Sequence, residues 1–122
     1  MQICRENGDV PNVITAYGNG EVRMRERVFH SSLIATRDVV IPEWKPPPVA
    51  RLAIGDFGEL LEYAPKIVIL GTGAEHCMPP PELFAAFAAH GIGLEVMDTG
   101  AACRTYNLLL ADAREVAAAL IV

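Results

Sequence analysis

The chain has 122 residues, 52% of them hydrophobic and 20% charged, which suffices for one globular core and leaves too little chain for two. Ten Lys and Arg against fifteen Asp and Glu give a formal net charge of −5, so there is no basic footprint for a phosphate backbone and nucleic acid is not expected as a partner. The longest apolar runs, such as Val116 to Val122, fall far short of the roughly 20 residues that cross a bilayer, and no signal core opens the chain, so a cytoplasmic protein without a transmembrane segment is expected.

The first elements read as β structure. Asn12 to Tyr17 and Glu21 to Phe29 flank Gly18-Asn19-Gly20, and Asn-Gly tolerates the positive φ that a tight hairpin requires. Ser32 to Ile41, rich in Val and Ile, continues the pattern with a bend at Arg37-Asp38. Together these segments, about 12–41, predict a β-meander of three or four strands. Arg23, Arg25 and Arg27 alternate with Val22, Met24 and Val28, which on one strand gives an arginine stripe over a buried face. Such a stripe suits either an acidic partner or a charged strand face that discourages edge-to-edge association. Trp44 and Lys45 lead into Pro46, Pro47 and Pro48, a stiff connector over 44–48.

From about residue 52 to 122 helical and strand patterns alternate. Asp56 to Tyr63 has Phe57, Leu60 and Leu61 at helical spacing and stops at Pro65. Lys66 to Leu70 is a short apolar strand running into Gly71-Thr72-Gly73. Pro79 to Pro81 and Glu82 open a helix with Leu83, Phe84 and Phe87 on one face and Gly91 as its stop. Leu94 to Met97 is the next strand. Ala102, Tyr106, Leu109, Leu110 and Ala113 then share one helical face, with Asp98 or Thr99 as the cap. Glu115 to Val122 suits a final buried strand, although Ala117 to Ala119 fit a helix equally well. This order predicts an α/β domain.

A single helix joining the strands at 66–70 and 94–97 makes them parallel, with a right-handed crossover. Their carboxyl ends then share an edge, and Gly71-Thr72-Gly73 faces Asp98-Thr99-Gly100 where open α/β sheets bind ligands. Arg104, one turn into the helix, is placed to receive an anion beside the helix amides. The plain alternative is a capped helix, a glycine turn and a solvated arginine. Catalytic motifs are missing. Gly71-Thr72-Gly73 begins like a dinucleotide fingerprint, but His76 stands where the third glycine belongs, and no P-loop, HExxH or GxSxG is present. Cys4, Cys77 and Cys103 lack metal or disulfide spacing, and His76 with Cys77 and Cys103 makes at best an incomplete nucleophile or metal set. No cofactor, metal ligand or catalytic residue is assigned.

Val68 to Gly73 (VILGTG), the proline after a short loop, Gly91 to Asp112 (GIGLEVMDTGAACRTYNLLLAD), Val116 to Ile121 (VAAALI) and Ser31 to Thr36 (SSLIAT) together resemble a family of small domains of unknown function. That family is shared by bacterial and archaeal stand-alone proteins and by mitochondrial complex I assembly factor 3. The resemblance implies a three-layer α/β single domain with a mixed central sheet and additional β structure. It favours strand for the C-terminal segment and implies that this strand runs antiparallel to its neighbours. The functional implication is a non-catalytic protein-binding domain that assists respiratory complex I assembly. Gly71, Thr72, Gly73, Thr99, Ala102, Thr105 and Asn107 are the positions the motif carries over as a surface or ligand crevice. Asp98 and Arg104 join them from the residue reading. The alternative is a small-molecule binding protein or enzyme acting on an anionic metabolite in the same crevice. The expected partner is another protein, with an anionic small molecule as the second choice and a monomer or dimer as the assembly.

Overall fold

The computed structural model describes residues 11–122; Cys4, one of the three thiols, lies outside the described residues. The Asn-Gly hairpin forms as its chemistry requires. β1 (Ala16–Gly18) and β2 (Glu21–Met24) pair antiparallel across Asn19 and Gly20, which stand at φ 54° and 75°.

The expected single strand from Glu21 to Phe29 is instead two strands. The chain reverses at Arg25-Glu26, with Arg25 at φ 58°, and β3 (Arg27–Phe29) pairs back on β2. The reason lies at Glu26: continuing the alternation that buries Val22 and Met24 would bury its carboxylate. The turn also dissolves the arginine stripe. Arg23 pairs with Glu21 at 2.9 Å, Arg25 donates to the Pro11 carbonyl at 2.9 Å, and the Arg27 guanidinium lies 5.0 Å from the centre of the Phe29 ring.

β4 (Leu33–Thr36) and β5 (Val40–Ile41) do not extend the meander. They belong to a second sheet with β6 (Ile67–Gly71), β7 (Gly93–Met97) and β8 (Val116–Leu120), ordered β5-β4-β8-β6-β7. Leu33, Ile34 and Ala35 are all buried, as a strand covered on both faces demands. The C-terminal segment is a strand, and β6 and β7 are parallel as expected. Its implied direction holds on one side only: β8 is antiparallel to β4 but parallel to β6, because it follows a helical crossover from the parallel pair.

Among the described residues three α-helices complete the layers. α1 (Gly58–Leu61) follows a 3-10 turn at Ile54–Phe57, α2 (Pro81–Ala89) carries proline at its first position, and α3 (Thr99–Ala111) is capped by Asp98. One face of the five-stranded sheet buries Val68, Leu70, Ala117 and Ala119 against Phe57, Leu60, Leu83 and Phe87. The other buries Ile69, Ala118 and Leu120 beneath α3 and the meander, through Ala102, Tyr106, Val22 and Met24. The domain is thus a three-layer α/β arrangement with a mixed central sheet. Among the described residues no helix is long and apolar enough to cross a membrane.

Candidate functional site at the carboxyl edge of the sheet

The parallel strands β8, β6 and β7 end together, and the loops after β6 and β7 meet there. Thr72 N–H donates to the Met97 carbonyl at 2.9 Å, and Thr99 N–H donates to the Gly73 carbonyl at 2.9 Å. Thr99 is the centre of this junction. Its hydroxyl accepts from Gly73 N–H at 2.8 Å and donates to the Ile121 carbonyl at 2.7 Å, joining all three strand ends through one fully buried oxygen. Ile121 N–H returns to the Gly71 carbonyl at 3.0 Å. Thr72 is buried as well; its hydroxyl donates to the Glu75 carbonyl at 2.7 Å and accepts from Cys77 N–H at 3.2 Å.

The glycine of β6 has a steric cause. A Cβ at Gly71 would lie 2.9 Å from Thr99 Oγ1, 3.0 Å from Thr99 Cα and 3.1 Å from Ala102 Cβ. Helix α3 therefore seats its first turn on the end of β6, and the small residue Ala102 faces the glycine. Gly73, at φ 104°, needs glycine for its backbone conformation instead. Asp98 is the cap: its Oδ1 accepts from Ala101 N–H at 2.9 Å.

The edge thus brings together Gly71, Thr72, Gly73, Asp98, Thr99 and Ala102. Asn107 is turned to another task. Its Nδ2 donates to the Ile14 carbonyl at 2.7 Å and its Oδ1 accepts from Ile14 N–H at 2.9 Å, so the side-chain amide pairs with the N-terminal segment as a neighbouring strand would. Tyr106, read from sequence only as a core residue, donates its hydroxyl to the Asn12 carbonyl at 2.8 Å. Burial, assisted by the charge of Asp38, raises the pKa of this phenol. The adjacency of two hydrogen-bonding side chains, Tyr106 and Asn107, on an otherwise apolar helical face was the available signal.

The remaining groups face outward or are sealed. Arg104 is exposed, Thr105 is half-buried, and Leu108, one turn beyond Arg104, is 71% exposed. In the loop after β6, His76 and Cys77 are exposed and Met78 is 58% exposed. Cys103 is buried, and desolvation pushes its thiol up to about 12, with the Arg104 charge opposing. Cys77 and Cys103 are both free thiols. Among the described residues no group of three or more His, Cys, Asp or Glu could hold a metal ion.

A family model described as "Protein of unknown function (DUF498/DUF598)" matches residues 14–121. The solution structure of a Xanthomonas campestris protein has 32% identity and a TM-score of 0.84, with 100% of this chain and 92% of that one covered. Among curated relatives, the "13 kDa major membrane protein" of Francisella tularensis is 36% identical over 62 residues, 51% of this chain and 50% of its own. The NADH dehydrogenase [ubiquinone] 1 alpha subcomplex assembly factor 3 of Danio rerio is 34% identical over 86 residues, 62% of this chain and 49% of its own. The chain therefore spans about half the length of these curated relatives.

Proposed function

The chain belongs to the DUF498/DUF598 family, and on that premise we infer that it is a non-catalytic cytoplasmic protein-binding domain that assists the assembly of respiratory complex I. The assembly role follows from the similarity to the Danio rerio NADH dehydrogenase assembly factor. The observation that carries a docking reading is how the polar groups at the carboxyl edge are used. Thr72, Asp98 and Thr99 are occupied by bonds within the domain, while the large apolar side chains of Leu108 and Met78 stand in solvent. A scaffold that is closed inside and apolar outside suits contact with a protein better than chemistry on a bound molecule. The anionic-metabolite alternative would rest on Arg104 and the helix amides with few free side chains to orient a substrate.

The docking surface is the outer face of α3 with the adjoining loops, centred on Arg104 and Leu108. Its test is affinity capture from cells of the source organism, comparing the wild type with Leu108→Glu and Arg104→Ala. Enrichment of NADH dehydrogenase subunits by the wild type, lost in Leu108→Glu, supports the assembly role. Equal recovery of those subunits by both variants overturns the surface, and their absence from the wild-type capture overturns the role.

A further inference from the structure

At the opposite end of the sheet, away from the Thr99 junction, a cleft of about 410 Å³ opens between the β4–β5 turn, the segment leading into β6 and the segment joining α3 to β8. Val39, Leu110, Val116 and Pro65 contribute apolar surface to it. Tyr63 stands at its wall with 47% of its surface exposed, one of the few large apolar side chains left in solvent among the described residues. The charged lining comes in two adjacent pairs, Arg37 with Asp38 and Arg114 with Glu115. Arg37 and Asp38 are bonded to each other at 3.0 Å. The side chains of Arg114 and Glu115 make no ion pair among the described residues and are exposed at the entry to β8.

Two cations and two anions line one small volume, so the lining carries no net charge that would favour a simple anion or a simple cation. A molecule carrying both signs close together gains from both, and an apolar body gains from Tyr63 and the aliphatic wall. The volume lies within the usual range for small-molecule sites. We propose that this cleft is a binding site for a small zwitterion with an apolar or aromatic side group, of the free α-amino-acid class. The carboxylate meets the Arg114 guanidinium, the ammonium meets the carboxylate of Glu115 or Asp38, and the side group lies against Tyr63 and Leu110. The site includes neither Arg104 nor Leu108, on which the α3 docking surface is centred, so either can fail without the other.

The test is a titration of the isotope-labelled protein with L-phenylalanine, followed by the backbone amide resonances. 3-Phenylpropionate lacks the ammonium, phenethylamine lacks the carboxylate and glycine lacks the side group, so these serve as controls. The expected result is saturable shifts confined to residues 36–39, 63–65 and 110–116, with each control at least tenfold weaker. Arg114→Gln and Tyr63→Ala should each weaken L-phenylalanine at least tenfold, while the amide spectrum of residues 67–71 stays in place to show that the fold is intact. An absence of saturable shifts overturns the proposal, as do shifts centred on α3's outer face or controls that bind as well as L-phenylalanine.

Discussion

Replacing Asn107 by alanine separates a structural role from a surface role at a position that the sequence motif placed in the crevice. The amide of Asn107 makes two short bonds to the backbone of Ile14, at 2.7 and 2.9 Å, and Ile14 is itself buried. Each bond contributes about 1 kcal/mol net, and truncation leaves a partly desolvated N–H and C=O behind, so the loss comes to about 2–3 kcal/mol. For 122 residues at roughly 2.1 cal/mol/K each, the unfolding entropy is about 0.26 kcal/mol/K. The expected fall in Tm is therefore about 8–12 °C. Thermal unfolding followed by circular dichroism measures it, and hydrogen exchange should show the Ile14 amide losing protection more than those of β6. A fall below about 2 °C with Ile14 still protected would refute the clamp.

Other outcomes follow from the same geometry. Gly71→Ala forces a methyl group against the Thr99 backbone at 3.0 Å and should cost about 1–3 kcal/mol, read as a lower urea midpoint at unchanged slope. Leu108→Glu, at a side chain 71% exposed, should leave that midpoint within about 0.5 kcal/mol of wild type, whatever it does to partner capture. In the folded protein at pH 8, iodoacetamide should label Cys77 and spare Cys103, since burial and a thiol pushed to about 12 remove both access and thiolate; peptide mass mapping decides it. The same shift makes stability depend on pH. The folded-state pKa of Cys103 is raised, so its contribution is full below about 9 and is lost as pH climbs toward about 12. Denaturant midpoints should therefore fall over that window, and less steeply in Cys103→Ala.

The elements with strong local chemistry were legible in the sequence. Asn19-Gly20 fixed the hairpin, Pro81 and Glu82 the start of α2, and the apolar run into Gly71 the strand β6. What local pattern could not supply was partnership. Leu33 to Thr36 has the same look whether it extends a meander or lies beside a strand more than 80 residues away, and only burial on both faces distinguishes them. The split at Arg25-Glu26 was obscured by the three arginines, whose regular spacing suggests one strand, although Glu26 occupies a position that strand would have buried. At the carboxyl edge, position was readable but direction was not. Thr99 faces inward and Arg104 outward within one helix, and the Asn107 amide meets a backbone that precedes it by 93 residues.

The central place of β8 also governs the order in which the chain can fold. Val116–Leu120 lies between β4 and β6, so before it emerges the five-stranded sheet can form only as two separate ribbons, β4 with β5 and β6 with β7. Neither ribbon buries both of its faces. Thr99 meanwhile lacks its Ile121 acceptor, and the junction of strand ends stays incomplete. Closure of the sheet is thus a late, long-range event, of the kind that slows folding and exposes unpaired strand edges until it occurs. During synthesis the nascent domain presents the edges of β4 and β6 until the final strand inserts between them, and a chaperone acting on it would find its binding surface there.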